Sequence, residues 1–363
     1  MARLSIVSIA MVVLAVEPAR GYELARAADG TPLEGVVLPV HLQVLVDDAL
    51  LGDGDGGELG ARAAAWRASL RWEQPDSSRA HFTRRTAHDP APADGGAQVT
   101  IRALTEDWPA EYGSPLATVA FTVVQVDEGA GRITAAEVLL NAQGFAFSTS
   151  DQPRRLDVEG TVSHELGHAL SLEHSCGEAW GTFPDCAQLP DAARAGIEEA
   201  TMYPAASPGN TWQRDLAEDD VAGLSALYPA DPAAIPPVLL PICACSGGTV
   251  LLAVDSMPGS SAIEIFRGDD RQVLKLEPAT CQAGAALCRR TARLPVLPGQ
   301  RFDVELTDLD SGKRAVVFDT LCEPCTEDQD PPVETSGCHC GLATGTLVPL
   351  PWVWFRRRRP CRR

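Results

Sequence analysis

Apolar and polar residues alternate along the first half of the chain in a pattern that predicts a β-sheet. Apolar and β-branched residues recur at about every second position, the period of a half-buried strand, in residues 36–46, 97–104, 117–126 and 133–141. Glycine-containing turn residues separate the last two segments, which we therefore expect to form a hairpin.

Three other segments show the helical period instead. Apolar residues three or four positions apart predict amphipathic helices in residues 59–70, 157–172 and 217–228. Asp157 is suited to cap the start of the second helix, and Pro229 ends the third. A polar stretch rich in Pro, His and Asp follows the first helix, and we expect it to be an irregular surface loop. Strands and helices together predict an α+β domain.

A second domain is predicted after a proline-rich linker at residues 231–237. Short β-type runs separated by turn residues occupy the region 238–328 at intervals typical of a small all-β sandwich. These runs are residues 249–254, 262–266, 273–276, 292–296, 302–306 and 315–318. Residues 329–337 are expected to form a second linker, leading to a C-terminal tail at 338–363.

The N-terminus resembles a secretory signal peptide. Arg3 precedes an apolar stretch over residues 4–16, which is too short to span a membrane. Cleavage could follow Gly21 or Ala15, and a buried N-terminal strand is the alternative interpretation. We expect export, with residues 1–21 removed.

Charge and cysteine content fit an extracellular protein. The net charge is -19 even though six arginines lie among the last eight residues, so the rest of the chain is more acidic still and nucleic-acid binding is not expected. Of the eleven cysteines, none precedes Cys176. Cys176 and Cys186 are expected to form a disulfide, with a role as thiolate metal ligands as the alternative. Six more lie in the second domain, where three disulfides could pair in fifteen ways. A second zinc site or a redox pair is the alternative there. The six are Cys243, Cys245, Cys281, Cys288, Cys322 and Cys325.

The segment with the most specific chemistry begins at residue 164 and reads HELGHALSLEH. His164 and His168 are one helical turn apart, so both imidazoles can reach the same Zn²⁺ ion. Glu165 lies beside that face, where it can act as a general base without binding the metal. His174 on a straight helix would lie roughly 15 Å from His164 along the axis and about 80° around it. The chain must therefore turn sharply if His174 is the third ligand; Glu198 or Glu199 is the alternative.

This motif, with its third histidine at the same spacing, resembles the metzincin metalloproteases, and SHELGHALSLEHS is similar to their matrixin branch. The resemblance implies that the turn falls at Ser171, where the family has glycine; a positive φ would cost a serine on the order of 1 kcal/mol. Thr201-Met202-Tyr203-Pro204 resembles the family's Met-turn, and residues 216–228 resemble its final helix. The implied fold for residues 22–230 is a twisted mixed sheet with three helices.

The same resemblance implies a function and a site. One Zn²⁺ would be bound by His164, His168 and His174, with Glu165 as general base and Met202 as a structural base beneath the metal. Tyr203, Pro204 and Ala206 are candidates for the wall of a substrate pocket. The strand over residues 117–124 corresponds to the edge along which a polypeptide substrate pairs. A secreted or cell-surface zinc endopeptidase is expected; the alternative is a cell-surface binding or adhesion protein with an inactive protease-like domain.

Two weaker signals concern calcium and the cell surface. Asp53, Asp55 and Glu58 resemble a calcium-binding string but lack the full spacing of an EF-hand loop, so a solvated loop is the alternative. In the tail, a Gly-Cys element, an apolar stretch over 341–355 and an arginine cluster follow one another. This order resembles the sorting signals of myxobacterial surface proteins and implies membrane attachment; simple secretion is the alternative.

Overall fold

The computed structural model describes most of the first 230 residues and the strands that follow them. The described residues are 22–27, 30–46, 48–51, 60–86, 89, 92, 95–150, 152–177, 185–190, 194, 197–230, 238–240, 249–256, 261–267, 270–274, 288–295, 301–308 and 314–321. The predicted signal peptide, both linkers, the calcium-binding string and the C-terminal tail lie outside the described residues. No described helix is both long enough and apolar enough to cross a membrane.

A five-stranded mixed sheet forms the centre of the structure between residues 40 and 141. Its strands are β1 (Val40–Val44), β2 (Phe82–Arg85), β3 (Gln98–Leu104), β4 (Ala120–Asp127) and β5 (Arg132–Asn141). They are ordered β2-β1-β3-β5-β4, and all neighbouring pairs are parallel except β4 and β5. The antiparallel β4–β5 pair confirms the predicted hairpin, and it leaves β4 at the edge of the sheet.

Strand β2 corrects the prediction of an irregular loop after the first helix. Phe82 is buried at 1% exposure, and the polar Arg84 is buried as well. The Arg84 guanidinium lies over the Trp66 ring, 4.9 Å from its centroid, in a cation–π contact that makes its burial tolerable. With an arginine in place of a second apolar residue, the strand lacks the alternation by which it could be detected.

Three α-helices have described bounds: α1 (Ala61–Glu73), α2 (Val158–Ala169) and α3 (Glu218–Leu227). They confirm the three predicted helices, although α2 ends three residues before the predicted end. The helices α1 and α2 share one apolar core with the sheet, to which Leu42 and Leu166 contribute. The buried indole of Trp72 on α1 donates a 2.9 Å hydrogen bond to the Ser163 carbonyl on α2.

Buried charges fix the start of α2. A short parallel pair, β6 (Phe147–Ser148) and β7 (Leu156–Asp157), leads directly into it. The Asp157 carboxylate accepts from the backbone N–H of Gly160 at 2.6 Å, which confirms the predicted cap. Glu159 is fully buried and forms ion pairs with Arg67 and Arg71 on α1. Because an unpaired buried carboxylate would be strongly destabilising, these pairs lock the two helices together.

Seven further strands lie between residues 238 and 321. They are β8 (Val238–Leu240), β9 (Thr249–Ser256), β10 (Ser261–Arg267), β11 (Asp270–Leu274), β12 (Cys288–Pro295), β13 (Arg301–Asp308) and β14 (Arg314–Leu321). They form two antiparallel sheets, ordered β12-β9-β8 and β11-β10-β13-β14. Each predicted β-type run overlaps one of these strands, and the sandwich arrangement stays a prediction.

Candidate metal centre

Two histidines of α2 are oriented by the same kind of hydrogen bond, which leaves the Nε2 atom of each ring available as a metal ligand. His164 Nδ1 is 2.8 Å from the Thr201 carbonyl oxygen, and His168 Nδ1 is 2.8 Å from the Leu172 carbonyl oxygen. Because a carbonyl oxygen only accepts hydrogen bonds, each Nδ1 carries the proton and donates it. The Nε2 atom of each neutral ring then carries no proton, and its lone pair is available to bind a metal ion. Fixing the ring in this way is how proteins prepare histidines for metal binding.

The turn that the third histidine requires falls at Ser171, as expected from the family resemblance. Ser171 has φ 76°, in the left-handed region. Its N–H donates to the His168 carbonyl at 3.0 Å, and the Leu172 N–H donates to the Gly167 carbonyl at 2.9 Å. These two bonds are the Schellman pattern, which ends a helix and turns the chain away from its axis.

The turned segment carries His174 back to the helix. His174 Nε2 lies 3.2 Å from His164 Nε2 and 3.2 Å from His168 Nε2. Two nitrogens that each bind zinc at 2.0–2.1 Å with a tetrahedral angle are about 3.3 Å apart. The observed spacing fits that geometry, so the three residues fit a metal ion.

Several bonds hold the segment that carries His174. On one side, the Ala25 N–H donates to the Ser171 carbonyl, and the Glu173 N–H donates to the Glu23 carbonyl, both at 2.9 Å. On the other side, the Ser175 N–H donates to the Met202 carbonyl at 2.9 Å. The predicted disulfide between Cys176 and Cys186 is confirmed and follows two residues after the histidine. The third imidazole is therefore fixed from both sides, although it is not on a helix.

Burial keeps the three rings neutral. Desolvation lowers the pKa of His164 to about 3, with repulsion from His168 adding to the effect, and lowers the pKa of His168 to about 4. It also lowers the pKa of His174 to about 2, with repulsion from the other two rings. Neutral imidazoles are the form that binds zinc, copper, iron and nickel. Within the described part of the chain, His164, His168 and His174 lie close enough together to hold a metal ion. Glu198 and Glu199, the alternative third ligands, do not belong to this group.

A buried carboxylate lies on the same helix as His164 and His168. Glu165 follows the first histidine on α2 and is 6% exposed. Its Oε2 accepts a 2.6 Å hydrogen bond from the hydroxyl of Thr122 on β4. Burial raises the pKa of Glu165 to about 7, and the bond from Thr122 partly opposes this rise. Thr122 could not be recognised from the sequence, because only the packing of α2 on the sheet brings residues 122 and 165 together.

The segment around Met202 contacts both α2 and α3. Met202 is 2% exposed, and its thioether lies so close to Gly167 of α2 that a side chain at that position would overlap it. The Asp220 carboxylate, in the first turn of α3, accepts from the backbone N–H groups of Thr201 at 2.8 Å and Met202 at 3.0 Å. Asp220 and Gly167 were not recognised from the sequence, where each looks like an ordinary helix residue.

The three candidates for the substrate pocket lie immediately after this segment. Tyr203, Pro204 and Ala206 are all partly exposed. The Tyr203 carbonyl accepts a 3.0 Å hydrogen bond from the Gln213 side chain, and Ala206 packs against the core. Their role in binding substrate stays a prediction.

Comparison with known proteins does not assign the chain to a family. No family model and no curated protein sequence matches the chain. Among solved structures, the crystal structure of chicken CD1-1 aligns with 36% of this chain and 52% of that chain, about half its length, at 18% identity and a TM-score of 0.21. A TM-score this low does not indicate a shared fold, so the site is interpreted from its own geometry.

Proposed function

We propose that this chain is a secreted zinc-dependent endopeptidase of the metzincin type, with a matrixin-like catalytic domain. The observation that supports the proposal best is the convergence of three imidazoles, in which His174 Nε2 lies 3.2 Å from the Nε2 atoms of both His164 and His168. The buried Glu165 directly follows His164 on the same helix. Three neutral imidazoles next to a carboxylate that binds no metal are the donor set of a hydrolytic zinc site with one position left open for water.

His164, His168 and His174 would hold the zinc ion. When bound, it would polarise the carbonyl of the scissile peptide bond and lower the pKa of water. Glu165 acts as the general base: its carboxylate takes a proton from the attacking water and later passes it to the nitrogen of the leaving amine. Because Thr122 donates to Oε2, the proton is taken at Oε1.

The position of β4 supports a polypeptide substrate. This strand is at the edge of the five-stranded sheet and carries Thr122, which contacts Glu165. An extended peptide can pair with a strand edge through main-chain hydrogen bonds that depend little on side chains. Such pairing would place a peptide bond of the substrate next to the general base. Tyr203, Pro204 and Ala206 would line the pocket for the residue after that bond.

Met202 would serve as the structural base of the site. Its contact with Gly167 and the hydrogen bond from His164 to the Thr201 carbonyl tie residues 201–202 to the helix that carries two of the ligands. In this proposal the signal-peptide-like residues 1–21 direct export, and the tail at 338–363 attaches the enzyme to the cell surface.

The proposal is tested by comparing the wild type with Glu165→Ala, measuring zinc content and the cleavage of casein as an unfolded polypeptide. Glu137→Ala is a matched control, because Glu137 is a partly exposed glutamate on β5 whose partner is Arg102. We expect one zinc per chain in all three proteins and loss of cleavage only in Glu165→Ala. Zinc binding without any Glu165-dependent cleavage would favour a binding protein with an inactive protease-like domain.

A further inference from the structure

The hydroxyl of Thr122 contacts two oxygens of the same residue. It lies 2.6 Å from Glu165 Oε2 and 3.1 Å from the Glu165 backbone carbonyl. A hydroxyl has one proton to donate, and the shorter bond shows that the carboxylate receives it. A hydrogen bond from a hydroxyl to an ionised carboxylate is about twice as strong as one between neutral groups.

The two partners belong to separate elements of the fold. Thr122 is near the start of β4, where it pairs with Val138 of β5, and Glu165 is in the middle of α2. Thr is β-branched, so its side chain has few rotamers, and the strand fixes the position of its hydroxyl. Glutamate has three side-chain torsions and would lose its orientation without a partner. The sheet therefore determines where the carboxylate of the helix points.

We propose that Thr122 is a positioning residue for the general base: it holds Glu165 Oε2 so that Oε1 faces the three histidine Nε2 atoms and the attacking water. This inference rests on the proposed function, since it assigns Thr122 a part in the same reaction. A small displacement of a catalytic group raises the barrier to the chemical step, and a misplacement of 1 Å can cost about a hundredfold in rate.

The role predicts a specific kinetic change in Thr122→Val, which keeps the branched shape and the strand preference but removes the hydroxyl. We expect kcat for casein-derived peptides to fall about ten- to a hundredfold with KM within about twofold of the wild type. Thr122→Ser restores the hydroxyl and should recover kcat to within about threefold. Should valine prevent folding, Thr122→Ala removes the same hydroxyl, and we expect the same fall in kcat.

Thr134→Val is the matched control. Thr134 belongs to the same hairpin, is exposed, and donates a 3.2 Å hydrogen bond to the Gln125 carbonyl. The chemical change is the same but occurs away from Glu165, so kcat should stay at the wild-type value. Zinc content should be one per chain in every variant, which separates the loss of positioning from the loss of metal.

A crystal structure gives a measurement independent of activity. In Thr122→Val we expect the Glu165 carboxylate to leave its wild-type position, and in Thr122→Ser to keep it. If the wild type cleaves peptides and Thr122→Val cleaves them equally fast, or if serine fails to restore kcat, the positioning role is wrong. If the wild type cleaves nothing, the proposed function fails, and an unmoved Glu165 in the valine variant would overturn the positioning role separately.

Discussion

Replacing Ser171 by glycine should stabilise the protein, although the residue is in the turn that carries His174. Ser171 has φ 76°, a conformation that glycine adopts without steric cost. Its side chain is fully buried, and its hydroxyl has no hydrogen-bond partner among the described residues. The backbone bonds of the turn, from Ser171 to His168 and from Leu172 to Gly167, do not involve the side chain and remain in the variant.

The size of the effect follows from three contributions. A left-handed conformation costs a residue with a Cβ about 1–2 kcal/mol, and glycine removes this cost. A buried hydroxyl without a partner costs about 1–3 kcal/mol, which is also removed. Glycine makes the unfolded chain more flexible, which opposes the gain by about 0.4–1 kcal/mol. Taking the lower values, we expect the free energy of unfolding of Ser171→Gly to rise by about 1–2 kcal/mol.

Urea unfolding of the metal-free protein measures this change without a contribution from metal binding. Ser171→Ala separates the two causes, because it removes the hydroxyl and keeps the strained Cβ. We expect alanine to gain about 1 kcal/mol from the hydroxyl alone and glycine to exceed it. A glycine variant less stable than the alanine variant would refute the reasoning about strain at this position.

Three further predictions concern groups around the site. In the metal-free protein, burial raises the pKa of Glu165 from 4.5 to about 7. The neutral form of Glu165 therefore contributes its full stabilisation of the folded protein below pH 4.5, and this contribution is lost as the pH rises through 7. Urea unfolding should therefore show Glu165→Gln gaining about 3 kcal/mol over the wild type between pH 4 and pH 8; a difference independent of pH would contradict this. Asp220→Ala leaves the buried N–H groups of Thr201 and Met202 without an acceptor. The free energy of unfolding in denaturant should therefore fall by about 3 kcal/mol. An unchanged midpoint of unfolding would show that Asp220 does not stabilise this segment. Gly167→Ala forces a methyl group into the Met202 thioether, so thermal melts should show a loss of about 1–3 kcal/mol and zinc titrations weaker binding. A variant as stable as the wild type that binds zinc equally well would contradict this.

The regular elements were predictable wherever a single period governs a segment. Strand β5 and helix α2 show their periods clearly because one face of each is buried in the core. Strand β2 could not be predicted, because Phe82 is its only buried apolar residue. Its other buried side chain, Arg84, depends on the contact with Trp66. That contact joins two elements, and no local pattern reports it.

The residues of the candidate site also fall into those that the sequence predicts and those that only the folded structure brings together. His164 and His168 were predictable because their spacing places them on one face of one helix. The turn at Ser171 was expected only because His174 could not otherwise reach the other two, together with the family resemblance. Thr122 could not be predicted, since the sequence contains many threonines and only the packing of α2 against β4 selects this one.

The most direct test of the account is reconstitution of the metal-free protein. Protein treated with a chelator is titrated with zinc while the cleavage of casein is followed. If His164, His168 and His174 hold one catalytic metal, cleavage should be absent at the start, rise in proportion to added zinc and level off at one equivalent per chain. Cleavage that persists in the metal-free protein, or that does not respond to zinc, would contradict the central claim.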